Sequence, residues 1–288
     1  MDVSIIIVNY NTKDLTKQTI QAVIETTNKA KYEIILVDNA SRDGTVEAVQ
    51  EEYPNIKVIV NTENLGFSKA NNIGMRQSIG KYVLLLNSDT KVLCNCIDKC
   101  FAYMEQHKDI CTLGPKINLE NGDFDHACKR GFPTPASSFY YMLKFDKFFP
   151  GNKKYGRYKM NYLSVDEVNE VDSLTGAFMM VRKEVIDKIG DLDEEFFMYG
   201  EDLDWCYRIK EAGYKVMYYP EAKMIHYKGQ SSKKKRTKTI YEFHRAMYLF
   251  YNKHYYKKYN LFITLFVYVG IGIKLPLSYI ANIFKIKN

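Results

Sequence analysis

Residues 81–90 read KYVLLLNSDT, and the break between the apolar half of this stretch and its polar half decides the fold. Tyr82 to Leu86 contains no Gly, Pro or charge, and the run ends in Asn87, Ser88 and Asp89. A continuous apolar run of this length suits a strand buried on both faces, as in a parallel sheet. A carboxylate at the carboxyl end of such a strand lies where open α/β sheets bind ligands. An Asp-containing turn explains one such ending equally well, so the weight rests on whether other stretches end alike.

Upstream they do. Residues 3–8 (VSIIIV) form a β-branched strand that ends in Asn9, Tyr10, Asn11 and Thr12, and a helix with Leu15, Ala22 and Val23 available for packing follows over 14–28. Residues 33–37 (EIILV) end in Asp38, and Asp43-Gly44 turns into a helix through Tyr53. A third strand at 56–60 ends in Asn61, and residues 64–74 carry a turn and the opening of a third helix. Strand–helix alternation of this kind implies a parallel sheet with right-handed crossovers. Capping by Asn11, Asp43 or Asn64 accounts for one ending. Four endings in a row, with Asp38 and Asp89 both at strand ends, favour a ligand crevice. No GxGxxG follows the first strand and no Walker lysine motif is present, so a nucleotide here would be held differently.

The chain has 288 residues, and a hydrophobic content of 46% with 26% charged residues marks it as globular, with room for one large domain or two small ones. Its net charge of +7 is uneven: Lys and Arg cluster over 228–258 and near the end, acids over 191–204. That asymmetry points to an acidic ligand or an anionic surface, and against nucleic acid. Six cysteines without a CxxC pair or a His-x-x-x-His argue against zinc. The N-terminus enters a strand without a basic start and cleavage site, so a cytoplasmic chain with free thiols is expected.

In the second half, a strand is expected over 109–117, broken at Gly114-Pro115, and residues 118–170 read as irregular, with a short helix near 137–144. This segment is either a mobile aromatic lid or a packed surface loop. Residues 171–181 read as strand, turn and strand, with Gly176 either suiting the turn or allowing a sugar to approach. Residues 201–211 have a helical pattern with Leu203, Cys206 and Ile209 inward, which puts Glu201 and Asp202 in the first turn. The helix dipole explains one acid there. Three acids beside Phe196, Phe197, Tyr199 and Trp205 would be partly desolvated, which makes them candidates for proton transfer. Asp204 and Arg208 have the spacing of a helical ion pair, and His226 ends a short apolar strand over 222–225.

Taken in order, SIIIVNYN, LVDNASRDGT, NLGFSKANNIG, LLLNSDT, TGAFMMVRKEV, FFMYGEDLDWCYRIKEAGY and MIHYKGQSS resemble the inverting family-2 glycosyltransferases of GT-A fold, in particular their bacterial rhamnosyltransferase-like branch. The resemblance covers roughly residues 3–232. It implies an α/β fold with a mixed, mainly parallel sheet flanked by helices. Residues 1–232 would form the catalytic domain, about 1–117 binding the nucleotide sugar and 118–232 the acceptor, with a helical extension over 233–288.

The resemblance also assigns roles. Val8 and Tyr10 would frame the base and Asp38 would accept hydrogen bonds from it, although with 24 Tyr in the chain simple packing also explains Tyr10. Asn64, Gly66, Asn87, Ser88 and Asp89 would complete the nucleotide-sugar site. The family's metal motif is usually Asp-x-Asp; here only Asp89 is a carboxylate, and it would hold Mg²⁺ or Mn²⁺ together with His226. Asp202 would be the general base and Glu201 would orient the acceptor, or the reverse, with Gly176 and Trp205 also in the acceptor site. The donor would be a UDP- or dTDP-sugar, with rhamnose one candidate and the sugar itself left open. The acceptor would be a surface-polysaccharide or lipid-linked glycan.

The tail completes the reading. Residues 228–238 are a basic run that is either solvated, closed over the donor diphosphate or set against anionic headgroups. Residues 240–259 read as a helix. The apolar run 261–273 is too short to span a bilayer before Lys274 and Pro276. Residues 260–284 therefore read as a segment lying on the membrane surface, which would make the protein peripheral at the inner face of the cell membrane, or as a helix packed on the catalytic domain or a partner subunit. The oligomeric state stays open. Two rival functions remain: a nucleotidyltransferase, and a non-catalytic nucleotide-sugar-binding subunit.

Overall fold

A computed structural model describes residues 1–228 and 236–286. Most of the basic run expected at 228–238 lies outside the described residues. The apolar runs of the first ninety residues become strands buried on both faces, except the edge strand over 57–60, where Val60 stays 56% exposed. β1 (Val3–Asn9) is followed by α1 (Lys13–Thr26), β2 (Tyr32–Asp38), α2 (Thr45–Glu52), β3 (Lys57–Val60), α3 (Phe67–Arg76) and β4 (Tyr82–Asn87). Ile5, Ile6, Ile7, Ile35, Leu36 and Leu84 are fully buried, each contributing about 1.5–3 kcal/mol of apolar burial. β1 lies parallel to both β2 and β4, and β2 is parallel to β3. The strand ends therefore face one edge, as the alternation requires.

After β4 the sheet changes character. β5 (Thr90–Leu93), α4 (Cys96–Gln106), β6 (Ile110–Leu119), α5 (Pro135–Met142), α6 (Phe145–Phe148), β7 (Asn169–Glu170), β8 (Phe178–Arg182), α7 (Lys183–Ile189), α8 (Glu201–Glu211) and β9 (Lys215–His226) complete the same sheet and its flanks. The strand order is β3-β2-β1-β4-β8-β6-β9-β5, with β7 on β9. β4 is thus sandwiched between parallel β1 and antiparallel β8, which explains its uninterrupted apolar run. The tail is helical: α9 (Arg236–His254) and α10 (Leu261–Ile286).

Several expectations are corrected. Gly114-Pro115 does not break its strand; β6 runs through it with a register shift between Pro115 and Lys116, where an irregularity tolerates the missing N–H of proline. A Cβ at Gly114 would come within 2.9 Å of the end of the Leu174 side chain, which packs closely over this crossing. The first strand expected within 171–181 does not form: only β7 and a single bridge between Arg130 and Ser173 precede β8. The strand ending at His226 is three times longer than its apolar stretch suggests, because it pairs with β6 on one side and β5 on the other. Lys274 and Pro276 do not interrupt α10. All six cysteines are free.

Candidate active site

The carboxyl ends of β1, β2 and β4 are joined by side chains rather than left to water. Asn9 Nδ2 donates to Asp38 Oδ1 at 2.8 Å and to Ser41 Oγ at 2.9 Å. Asn9 Oδ1 accepts from Thr12 Oγ1 at 2.7 Å and Thr16 Oγ1 at 2.8 Å. Thr12 Oγ1 reaches Ser88 Oγ at 3.0 Å, and Thr19 Oγ1 donates to the Ser88 carbonyl at 3.0 Å. Asn9 is the hub, and no site role was read for it from the sequence. The signal was its position as the first polar residue after an apolar strand. Asp38 is buried, its second oxygen accepting from the Ser41 amide at 2.8 Å. Each oxygen keeps a further lone pair for a ligand donor. Val8 pairs with Val37 and Asn87 and is half-buried beside them, and Tyr10 follows at the strand end.

A second junction ties the two halves of the chain together. Asn64 Oδ1 accepts from the Gly66 amide at 3.0 Å, and Asn39 Nδ2 donates to the Gly66 carbonyl at 2.9 Å. Gly66 has φ +85, and a Cβ there would lie 2.4 Å from the Phe197 carbonyl oxygen. The Phe67 amide donates to that same carbonyl at 2.7 Å, and Ser68 Oγ to the Phe196 carbonyl at 2.6 Å. The opening of α3 therefore clamps the loop that leads into α8.

Pairing of β5 with β9 sets Thr90 opposite His226. That register brings Asp89 to His226, with Oδ1 and Nε2 3.2 Å apart across 137 residues. On the far side of the ring, Nδ1 is buried without a hydrogen-bond partner, 3.7 Å from Asp125 Oδ2. Asp125 caps a 3-10 turn over His126–Cys128 and takes Lys228 Nζ at 3.1 Å. Burial disfavours a charged imidazole, but Asp125 and Asp89 outweigh it and hold the His226 pKa up at about 9. Burial also opposes ionisation of Asp125, yet His226 and Lys228 bring its pKa well below the usual carboxylate range.

Asp125 had no periodic or motif signal in its loop. Its contribution follows the pattern in which a carboxylate orients a metal-binding histidine. A cation bound here would displace the ring proton and leave a neutral His226 with Nε2 beside an Asp89 oxygen and Asp125 next to Nδ1. That donor set fits a divalent cation completed by diphosphate oxygens and water. Among the described residues there is no group of three or more His, Cys, Asp or Glu arranged around a metal.

α8 begins after Gly200, which adopts a left-handed φ of 85 and permits the turn. Asp202 Oδ2 accepts from Arg130 Nη2 at 2.5 Å and from the Gly176 amide at 3.2 Å. Oδ1 accepts from the Leu203 amide at 2.7 Å. A Cβ on Gly176 would press on the Phe67 ring at 3.1 Å, so this glycine lies between the α3 opening and Asp202. Glu201 is buried, and its Oε2 has no hydrogen-bond partner. Burial, reinforced by the Asp202 charge, pushes its pKa up to about 8. The first turn of α8 thus holds one carboxylate paired with Arg130 and one carboxyl that is protonated near neutrality.

Trp205 is not brought to this surface. It is 0% exposed and donates Nε1 to the Gly190 carbonyl at 3.0 Å, because α8 is buried on nearly every face. Arg130, in contrast, stood in a segment read only as irregular. Asp204 does more than pair with Arg208 at 2.8 Å: it also takes Lys253 Nζ and His254 Nε2 at 2.8 Å each, which bonds α9 to α8.

The model of the family described as Glycosyl transferase family 2 matches residues 4–190. An N-acetylglucosaminyl-diphospho-decaprenol L-rhamnosyltransferase of Mycobacterium tuberculosis is 26% identical over 228 residues, covering 75% of this chain and 73% of its own. The dTDP-rhamnosyl transferase RfbF of Shigella flexneri is 26% identical over 233 residues, covering 80% of this chain and 70% of its own. The crystal structure of GalNAc-T7 with UDP, GalNAc and Mn²⁺ superposes with a TM-score of 0.58 at 20% identity, over 78% of this chain and 44% of that chain. That likeness is one of fold.

Proposed function

Because the chain belongs to glycosyl transferase family 2, we propose that it moves a sugar, with rhamnose favoured, from a UDP- or dTDP-sugar to a hydroxyl of a surface-polysaccharide or lipid-linked glycan, with inversion. The mixed sheet and its flanking helices are those of the GT-A glycosyltransferases, and a C-terminal helical extension follows them. The observation that carries the substrate reading is the meeting of Asp89 and His226 at the strand ends, 3.2 Å apart. Two rhamnosyltransferase relatives, one acting on a lipid-linked substrate by its name, support the donor and acceptor classes.

In this reading Val8, Tyr10 and Asp38 hold the base, while Asn64 and Gly66 shape the adjoining turn. Asn87 and Ser88 orient the ribose and diphosphate. Mg²⁺ or Mn²⁺ held by Asp89 and His226 would neutralise the departing diphosphate. Asp202 accepts the proton of the acceptor hydroxyl, whose oxygen bonds to the anomeric carbon from the face opposite the nucleotide as the carbon–diphosphate bond breaks. Arg130 positions Asp202 through its charge-assisted hydrogen bond. Glu201, protonated near pH 7, donates a hydrogen bond that orients the acceptor.

The test is nucleotide diphosphate release from a panel of nucleotide sugars with Mn²⁺, with and without acceptor. Acceptor-dependent release that is lost in Asp202→Asn is the expected result. Release unchanged in that variant overturns the base. Pyrophosphate in place of nucleotide diphosphate identifies a nucleotidyltransferase, and binding without release identifies a non-catalytic subunit.

A further inference from the structure

α10 is amphipathic the wrong way round for a helix in water. Its polar side chains face α9: Thr264 Oγ1 meets Tyr251 Oη at 2.8 Å, Tyr268 Oη bonds Asn252, and Ser278 Oγ lies 3.4 Å from His244 Nε2. Lys274 Nζ sits over the Phe243 ring at 5.8 Å. The two helices form an antiparallel hairpin along these pairs. The outward positions are Leu261, Leu265, Val269, Ile273, Leu277 and Ile280, one stripe at helical spacing, each at least half exposed. No charged residue occupies an exposed position from 261 to 284. An apolar face of that length marks a site of interaction.

The face continues off the helix. The Phe266 ring lies 6.1 Å from Phe139 in α5. Beyond Phe139, Met142, Leu143, Phe148 and Phe149 are exposed, Phe148 at 74%. Lys144, Lys147, Lys153 and Lys154 are exposed among them. The one acid between 135 and 154, Asp146, is buried against Lys159 at 3.0 Å. Aromatic and aliphatic groups interleaved with cations, without an exposed acid, suit the interface of an anionic bilayer.

We propose that α10 and the α5–α6 segment form one monotopic face seated on an anionic lipid bilayer, with α10 parallel to its plane, and that this face delivers lipid-linked acceptors to Asp202. The delivery clause rests on the glycosyl-transfer reading above. Leu261–Phe284 is long enough to cross a bilayer. Crossing, however, would carry in the charges of α9, such as Glu242 and Arg245, or strip α9 from its partners on α10, and charges are costly in hydrocarbon. The approach to the base follows from connectivity: Arg130, bonded to Asp202, lies four residues before Thr134, the N-cap of α5.

The test uses the full chain in flotation with vesicles of phosphatidylglycerol and phosphatidylcholine, against phosphatidylcholine alone. The expected result is flotation with the anionic vesicles and release by an alkaline carbonate wash. Phe148→Glu/Phe149→Glu and Leu265→Glu/Phe266→Glu should each lower the bound fraction about tenfold. The first pair should leave donor hydrolysis without acceptor and transfer to a water-soluble acceptor unchanged. Variants that float like the parent, retention through the carbonate wash, or a lipid-indifferent dimer that never floats would each overturn the proposal. Flotation without transfer from any donor upholds the bilayer face and removes the glycosyl-transfer reading instead.

Discussion

Arg130 Nη2 donates to Asp202 Oδ2 at 2.5 Å, linking positions 72 residues apart in the chain. Both side chains are largely withdrawn from water, and beyond this pair backbone groups meet them: the Gly176 and Leu203 amides at Asp202 and the Leu174 carbonyl at Arg130. Arg130→Ala should destabilise the fold by about 3–5 kcal/mol, the cost of leaving a buried charge unpaired. Urea denaturation reads this directly. Arg130→Lys keeps the charge but not the planar fork and should recover part of the stability. In that variant transfer should also fall, because Asp202 loses the planar fork that positions it.

Glu201 predicts how stability depends on pH. Its carboxyl ordinarily titrates near 4.5 and stands at about 8 in the fold. Between these values the folded chain keeps a proton that the unfolded chain has released. The stability this group contributes is full below 4.5 and is lost as pH rises through 8. Glu201→Gln should flatten that decline and raise the Tm above pH 8, with little change at pH 4. Parallel slopes in parent and variant would refute the assignment.

Asp125 touches no expected substrate, so its effect on metal binding should run through His226, apart from the turn it caps and its pairing with Lys228. Asp125→Asn should lower Mn²⁺ affinity about 10–100-fold, followed by electron paramagnetic resonance of free Mn²⁺ without donor. Asp89→Asn should abolish the binding. An unchanged isotherm for Asp125→Asn would mean that the 3.7 Å approach to Nδ1 does not orient the ring.

Gly66→Ala places a methyl 2.4 Å from the Phe197 carbonyl on a backbone with φ +85. The strain should cost about 1–3 kcal/mol. Because the same clamp holds the loop before α8, transfer should fall along with thermal stability. A variant with the parental Tm would show that the α3 opening yields without cost.

β1, β2 and β4 were legible because each is a near-continuous apolar run, and burial on both faces demands that pattern; β3, an edge strand with Lys57 and Val60 exposed, was legible from its β-branched residues and its place in the alternation. α8 was legible to its end residues from its periodicity. What escaped was set by pairing rather than composition. β5 is four residues long, TKVL, and exists because β9 lies beside it; the meeting of Asp89 with His226 depends on that register. Asp125 and Arg130 sit in a segment without period, so only the folded chain shows what they face. Trp205 was misplaced for the opposite reason: its neighbours in sequence reach the site, while its own side chain turns into the core.

Asp204, without exposed surface, holds Arg208 of its own helix and Lys253 and His254 of α9. The same helix carries Asp202 two residues earlier. The tail therefore cannot tilt without tilting the base. If α10 is seated on lipid as proposed, the bilayer becomes a datum plane and the altitude of Asp202 above it a ruler. On the proposed seating, an acceptor hydroxyl held too near the membrane or too far from it would fall outside the reach of Asp202 whatever its stereochemistry.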